Sequence, residues 1–242
     1  MINSEEVLVL KEVRYKENDK ILHALSKNKG LIQLISRGCK KNNSPLINVS
    51  QTFVHAKCEL YKSKDMYVIT SADLIDNFYY LRNNMDAFLY GSYILELIHY
   101  IALENMVDNK IFDMTVEILK NLSSSNENFD KLTAAYELKL VAMLGFKPDF
   151  YHCLHCSNDI KTDVILSIEE GGFYCPNCVN NGNGINVLYN EILTLRKILK
   201  IKFKDINTVE NINSKVMNLI RKFLFYHIGK NNFITLKLLN NE

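Results

Sequence analysis

Short runs of apolar residues, separated by polar turns, follow one another through the first 70 residues of the chain. Runs of this length and composition predict β-strands. The predicted strands are Val7–Leu10, Ile21–Leu25, Leu31–Ile35, Thr52–Tyr61 and Met66–Thr70. The segment Ser26–Gly30 predicts a hairpin, because Asn28 and Gly30 tolerate the positive φ angles of a tight turn. Five such strands favour an OB-type barrel, although an SH3-like barrel would have a similar strand count.

Beyond Asp73 the apolar period lengthens from two to about 3.6 residues, which predicts helices. The predicted helices are Met85–Glu104, Lys110–Leu122, Phe129–Leu144, Tyr189–Ile201 and Thr208–Ile228. Gly145 and Pro148 are expected to end the third of these helices, and Asn207 or Thr208 to cap the fifth. The all-β segment and the helical segment therefore predict separate cores.

These patterns together predict an α+β protein of two domains. Residues 1–78 are expected to form a five-stranded OB-fold barrel. Residues 79–242 are expected to form an α-helical domain with an inserted segment at about 150–184 that contains four cysteines. With 242 residues, 48% of them apolar, the chain has ample material for these cores.

The most apolar stretch, Ala87–Leu103, is interrupted by Glu96 and His99 and is shorter than the ~20 apolar residues of a membrane span. It predicts a buried helix, and no membrane partner is expected. The first residues are acidic and resemble no export signal, so we expect a cytoplasmic protein. In that compartment cysteines are thiols or metal ligands rather than disulfides.

A net charge of +2 conceals an uneven distribution of charge along the chain. Residues 1–82 carry +4 and residues 191–242 carry +6, whereas residues 83–150 carry −5 and residues 151–190 carry −3. Two basic ends around an acidic middle are compatible with a ligand that has a phosphate backbone. The cysteine-rich insert lies in the acidic part, which favours a scaffolding role for it over DNA contact.

Two C-x-x-C pairs separated by 18 residues have the spacing of a zinc site. The four cysteines are Cys153, Cys156, Cys175 and Cys178. Four thiolates complete a tetrahedral shell with no open position, so we expect structural Zn²⁺. Buried or redox-active cysteines, ligation by His152 or His155, and an iron–sulfur cluster are the alternatives. Cys39 and Cys58 have no C-x-x-C partner and are expected to be ordinary core or surface residues.

The motifs of several enzyme classes are missing from the sequence. It contains no phosphate-binding P-loop, no H-E-x-x-H and no G-x-S-x-G, and the six histidines are scattered. No candidate nucleophile has an evident base. The sequence therefore predicts a protein that is not an enzyme.

Basic residues in turns and at strand ends of the predicted barrel form the candidate nucleic-acid surface. They are interleaved with aromatic residues, and OB folds bind single strands with a positive groove and stacking rings. The candidate contacts are Arg14, Tyr15, Lys16, Lys20, Arg37, Lys40, Lys41 and Lys57. Phe53, Tyr61 and Tyr67 are further candidates for stacking, although buried core positions are the alternative for each ring.

Several segments, in this order, resemble the DNA repair protein RecO family of bacterial recombination mediators. The barrel segments that carry the resemblance are Val7–Leu10, Tyr15–Ile21 and Leu31–Lys41, the last of which includes an R-G-x-K loop. The later segments are Leu144–Pro148, Cys153–Cys156 and Gly171–Cys178, which are similar to the L-G-(F/Y)-x-P, C-x-x-C and G-G-x-x-C-x-x-C run of zinc-containing members. The match covers essentially the whole chain.

The resemblance implies an N-terminal OB fold and a helical domain with a zinc knuckle. It also implies binding of single- and double-stranded DNA, annealing of complementary strands, and action with RecR to help RecA replace single-stranded DNA-binding protein. Members of the family also bind the acidic C-terminal tail of that binding protein. Arg221, Lys222, Phe223 and Phe225 are the candidate residues for this partner, with plain helix core as the alternative for the two rings.

Two other classes of protein share part of this pattern. A zinc-ribbon and OB factor of transcription or translation would also combine a knuckle with a basic face. A hydrolase with a regulatory OB domain would need a pocket of perturbed titratable groups, which the sequence does not show.

Overall fold

The computed structural model describes residues 2–103, 108–179, 184–210 and 212–239. Five strands near the amino terminus form a closed barrel in the order β1-β2-β3-β5-β4. The strands are β1 (Ile2–Tyr15), β2 (Asp19–Ser26), β3 (Gly30–Ser36), β4 (His55–Ser63) and β5 (Met66–Asp76). This confirms the predicted five-stranded OB-type barrel, with β1 and β5 extending well beyond the predicted runs.

The register of the barrel follows from its turns and from alternating burial. β2 and β3 pair antiparallel from Lys20↔Ser36 to Ser26↔Gly30, which confirms the hairpin, and Gly30 has a φ of 70°. β3 and β5 pair parallel at Leu34↔Tyr67, and the other pairs are antiparallel. Inward side chains such as Leu22, Leu34 and Leu60 are fully buried, so apolar burial holds the register.

Two compact units make up the chain, and the first contains more than the barrel. It comprises residues 1–126 and 233–242. Its helices are α1 (Met85–Ile101), α2 (Asn109–Ser124) and the short α6 (Ile234–Leu239). The predicted end of the first helix, Glu104, lies outside the described residues. The Glu96 carboxylate of α1 accepts hydrogen bonds from the backbone N–H groups of Ile234 and Thr235 at 3.1 and 3.0 Å, which fixes α6 on α1.

The second compact unit comprises residues 127–232. Its helices are α3 (Phe129–Val141), α4 (Tyr189–Lys200) and α5 (Ser214–Ile228). Gly145, with a φ of 97°, lies in the wide turn that follows α3, as expected of a residue that ends a helix. Four short strands form a small sheet in the order β6-β8-β7-β9, which the sequence did not predict. They are β6 (Asp149–Cys153), β7 (Val164–Ser167), β8 (Gly172–Tyr174) and β9 (Ile185–Val187).

The predicted start of the fifth helix is wrong. Residues 203–208 form a separate 3₁₀ helix, so neither Asn207 nor Thr208 is the cap. The α-helix begins at Ser214, where the Asn213 side chain accepts a hydrogen bond from the Val216 N–H at 3.0 Å. An Asn at this position satisfies one of the free N–H groups of the first turn.

Candidate metal centre and basic cavity

Four cysteine side chains form one cluster in the second unit. The sulfur atoms of Cys153, Cys156, Cys175 and Cys178 all lie within 4.8 Å of one another, and the Cys156 and Cys175 sulfurs are 3.8 Å apart. Tetrahedral sulfur ligands at about 2.3 Å from a zinc ion would be about 3.8 Å apart. The donor set and its spacing are therefore compatible with a closed four-coordinate metal site.

The small sheet brings the two C-x-x-C pairs together. β6 ends at Cys153 and β8 immediately precedes Cys175, and these two strands pair in parallel. The Leu154 N–H donates to the Phe173 carbonyl at 2.8 Å across this pair, and the Cys178 N–H closes its own turn on the Cys175 carbonyl at 2.9 Å. The two C-x-x-C turns therefore lie side by side, and their four sulfur atoms converge.

Backbone N–H groups prepare one sulfur of the cluster for the thiolate form. Burial raises the pKa of the Cys153 thiol, but N–H groups of Cys156, Cys175 and His155 outweigh burial and lower the pKa to about 6. Hydrogen bonding to Cys175 and Cys156 raises the pKa of the Cys178 thiol to about 12. Like charges at this distance oppose further ionisation, so four thiolates require a cation among them.

Neither neighbouring histidine belongs to the group of potential ligands found among the described residues. The His152 ring instead forms a hydrogen bond with Asp149, since its Nδ1 lies 3.0 Å from Asp149 Oδ2. Cys39 and Cys58 are buried in the barrel, and burial raises the pKa of the Cys58 thiol to about 12. The four-cysteine set is thus the arrangement that the C-x-x-C spacing predicts.

A second feature is a cavity of about 850 Å³ in the first unit, which we call the basic cavity. Among its lining residues are Arg14, Lys20 and Lys40, three of the predicted nucleic-acid contacts, and Arg82, which the sequence analysis missed. Glu12 is the acidic residue among the lining residues, and it pairs with Lys20 at 2.9 Å. The side chains that line the cavity therefore carry an excess of positive charge.

Two basic segments, residues 14–20 and residues 37–41, are joined beside the basic cavity. The Gly38 N–H donates to Asp19 Oδ1 at 2.7 Å, and Lys40 Nζ donates to the Glu17 carbonyl at 2.9 Å. The Lys40 N–H also donates to the Asn18 carbonyl at 3.1 Å. These bonds hold the second segment against the first.

Arg82 reaches the cavity from a 3₁₀ helix, Tyr79–Asn83, that follows the barrel. Its guanidinium donates to the Thr52 and Asn77 carbonyls at 2.8 and 2.9 Å and lies 6.0 Å from the centre of the Phe53 ring. No local pattern marks this residue, because its partner carbonyl at Thr52 lies 30 positions earlier. Phe53 itself is 1% exposed, so its ring is not available to stack on a base.

The other predicted contacts are not among the residues that line the cavity. Arg37, Lys16 and Lys41 are exposed, and Lys16 Nζ lies 5.4 Å from the centre of the Tyr15 ring. Lys57 is on β4, opposite Glu6 on one side and Asp73 on the other. The structure thus brings together part of the predicted set and leaves Lys57 between two acidic positions.

The predicted partner-binding residues of α5 fall into two pairs. Phe223 is 2% exposed, and Arg221 Nε is 3.0 Å from an oxygen of the fully buried Glu137. Phe223 is therefore part of the packed interior, which corrects the expectation that it faces a partner, whereas the partly buried Arg221 is paired with a buried carboxylate. Lys222 and Phe225, in contrast, line a cavity of about 490 Å³ together with Tyr226 and Lys230, which we call the second cavity.

Within the described ranges of the chain, no helix combines the length and the apolar character needed to cross a membrane. The predicted buried helix at Ala87–Leu103 corresponds to α1, whose inward face includes the fully buried Tyr93 and Leu97.

An OB-type barrel followed by helices and a four-cysteine cluster defines a class of two-part OB-fold proteins. Family models match this chain along nearly its whole length: "Recombination protein O N terminal" matches residues 1–78, and "Recombination protein O C terminal" matches residues 82–236. The chain therefore belongs to the RecO family, and membership supports a role in DNA repair and recombination.

Curated relatives agree with this assignment. A DNA repair protein RecO of Clostridium novyi is 29% identical over 225 residues, which cover 93% of this chain and 87% of the relative. One from Alkaliphilus metalliredigens is 24% identical over 244 residues, with 98% of each chain covered. One from Acetivibrio thermocellus is 28% identical over 177 residues, which cover 73% of this chain and 70% of the relative.

Proposed function

We propose that this chain is a recombination mediator that binds single- and double-stranded DNA and anneals complementary strands. The observation that carries the proposal is the basic cavity of an OB-type barrel in a member of the RecO family. Phosphates placed near Arg14, Lys40 and Arg82 would release their counterions, which favours binding at moderate salt.

Annealing needs no catalytic group. Two strands repel each other through their phosphates, and a protein that neutralises part of that charge on both lowers the barrier to pairing. The free energy of base pairing then drives the reaction, so we propose that the protein acts without nucleotide hydrolysis and as a binding protein rather than an enzyme.

The four-cysteine cluster is proposed to hold structural Zn²⁺. Cys153, Cys156, Cys175 and Cys178 would supply the whole coordination shell, which leaves no position for substrate or water. A zinc ion would supply the cation that four thiolates need and would couple metal binding to the folding of the small sheet.

Partners are proposed from the family and from the second cavity. The sequence resemblance implies that members of this family act with RecR to help load RecA onto DNA. We propose RecR as a direct partner of this chain and RecA as an indirect one. The cavity beside Lys222, Lys230 and Phe225 combines cations with rings, which suits the acidic C-terminal tail of single-stranded DNA-binding protein. The nucleoid is the location that these partners would imply.

A strand-annealing assay at fixed salt tests the proposal. Two complementary oligonucleotides, free or covered with single-stranded DNA-binding protein, are mixed with and without the chain, and duplex formation is followed by fluorescence. We expect acceleration under both conditions at about 100 mM salt, and less at higher salt. No acceleration under either condition would refute the mediator role and leave the transcription or translation factor as the competing class.

A matched pair of variants tests the location of the surface. Arg14→Gln with Lys40→Gln removes two charges from the basic cavity, and Lys62→Gln with Lys64→Gln removes two exposed charges that are not among its lining residues. We expect the first pair to lower single-strand affinity and the salt dependence of binding more than the second. Equal losses would show that general charge, and not this cavity, binds DNA.

A further inference from the structure

The basic cavity has an aromatic wall as well as cations. Phe88, in the first turn of α1, is 37% exposed and lines the cavity. Its ring centre is 5.6 Å from that of the buried Phe53, and the two rings are tilted by 60°. Phe88 is thus a partly exposed ring that contacts a buried ring and offers aromatic surface to the cavity.

Two more rings are exposed on the 3₁₀ helix that carries Arg82. Tyr79 is 58% exposed and Tyr80 is 69% exposed, and their ring centres are 5.9 Å apart at an angle of 77°. Side chains three positions apart share one face of a 3₁₀ helix, which places Tyr79 on the same face as Arg82. Tyr79 therefore lies on the face of this helix that carries Arg82, and the Tyr80 ring contacts the Tyr79 ring; neither tyrosine is among the residues that line the cavity.

Charge and shape together indicate one kind of occupant. Arg14, Lys40 and Arg82 suit phosphates, whereas Phe88, Tyr79 and Tyr80 offer faces for bases. Only unpaired bases have free faces, so a duplex would use the cations and not the rings. A protein ligand would have to be both acidic and aromatic to fit as well.

We propose that Phe88, Tyr79 and Tyr80 are base-stacking residues that give the basic cavity its preference for single-stranded over double-stranded DNA. This inference rests on the proposed DNA-binding function and adds residues outside the strands of the barrel. The cations anchor the backbone of either form, and the rings contribute only when bases are unpaired.

Oligonucleotides with abasic sites test the proposal directly, because they keep the phosphates and lose the bases. Affinities of the full chain for a single strand, an abasic single strand and a duplex are measured at one salt concentration. For the unmodified chain we expect the abasic strand to bind at least about fivefold more weakly than the normal strand. For Tyr79→Ala with Tyr80→Ala, and for Phe88→Leu, we expect that difference to shrink and duplex affinity to stay unchanged.

Conservative variants guard against effects on folding. Tyr79→Phe with Tyr80→Phe keeps both rings and should bind like the unmodified chain. 2-Aminopurine in the single strand gives a second readout, since its fluorescence is quenched on stacking, and the quench should fall in the alanine variant and persist in the phenylalanine variant.

The outcomes separate this inference from the proposed function. If the chain binds DNA through Arg14 and Lys40 but is insensitive to abasic sites and to the ring variants, the stacking role is refuted and DNA binding stands. Equal losses of duplex and single-strand affinity in the alanine variant would also refute selectivity. If the chain binds neither form, both proposals fail.

Discussion

The backbone N–H of Gly38 donates a hydrogen bond to Asp19 Oδ1 at 2.7 Å, and this bond joins the two basic segments of the barrel. Gly38 has a φ of 63°, a conformation that glycine adopts without strain. An acidic side chain is thus part of a surface proposed to bind a polyanion. Asp19 holds the segment that carries Lys40 against the barrel, although the negative charge of Asp19 opposes binding of the ligand.

Asp19 variants separate these two effects. Asp19→Asn keeps an acceptor for the Gly38 N–H and removes the negative charge, so we expect single-strand affinity equal to or higher than that of the unmodified chain. Asp19→Ala removes both, and we expect affinity about two- to fivefold below that of Asp19→Asn, the equivalent of a lost hydrogen bond of about 0.5–1 kcal/mol. Fluorescence anisotropy with a labelled oligonucleotide measures both. Equal affinities of the two variants would show that the bond does not position the segment.

Loss of one cysteine ligand should remove the metal from the second unit. For Cys175→Ser we expect loss of bound zinc by mass spectrometry and a lower midpoint of thermal unfolding, because metal binding to such sites is coupled to folding. A chelator should destabilise the unmodified chain in the same direction and leave the variant unaffected. His152→Ala is the matched control: its ring pairs with Asp149, so zinc content should not change. Loss of zinc in this control would make His152 a ligand.

Local signals account for the parts of the structure that could be predicted from the sequence. The β2–β3 hairpin depends on Gly30, which has a positive φ within its own turn, whereas Asn28 does not adopt the positive φ that was expected of it. The second C-x-x-C pair likewise closes its own turn, through the hydrogen bond from the Cys178 N–H to the Cys175 carbonyl. The strands of the cysteine-rich insert, some only three residues long, are too short for a period to appear.

Long-range contacts account for most of what was missed. Arg82 is placed by the Thr52 carbonyl, and α6 is held by Glu96, which lies 138 positions before Ile234. Arg221 appears in the sequence as one more surface cation of a basic helix. Its ion pair with Glu137 spans 84 positions, so no window of sequence could place its guanidinium beside a buried carboxylate.

Adjacent residues on α5 are expected to differ sharply when replaced. Arg221→Ala leaves the buried Glu137 without this cation, and loss of one partner of a buried ion pair costs on the order of 3–5 kcal/mol. Lys222→Ala changes an exposed side chain beside the second cavity, and we expect unfolding within about 0.5 kcal/mol of the unmodified chain. Urea unfolding measures both.

Peptide binding tests the proposed role of Lys222 separately from stability. Titration with a peptide of the single-stranded DNA-binding protein tail should show weaker binding for Lys222→Ala, with its fold intact. An unchanged affinity in Lys222→Ala would remove the second cavity from the proposed partner site. A stable Arg221→Ala chain would contradict the structural role of the ion pair.

His55 is expected to make the stability of the barrel depend on pH. Burial lowers the pKa of its imidazole below 6.5, although the nearby Glu6 carboxylate, 2.8 Å from Nε2, acts in the opposite direction. The unfolded chain then binds the proton more tightly than the folded chain, so the contribution of His55 to stability is complete above about pH 6.5 and falls as the pH drops toward the folded pKa.

The variant His55→Gln tests this dependence, because it keeps a polar side chain beside Glu6 and cannot titrate. We expect the free energy of unfolding in urea to change less between about pH 7.5 and about pH 5.5 in this variant than in the unmodified chain. Some dependence should remain, because burial also lowers the pKa values of His23 and His227. An identical change in both proteins would show that His55 does not bind the proton that destabilises the fold.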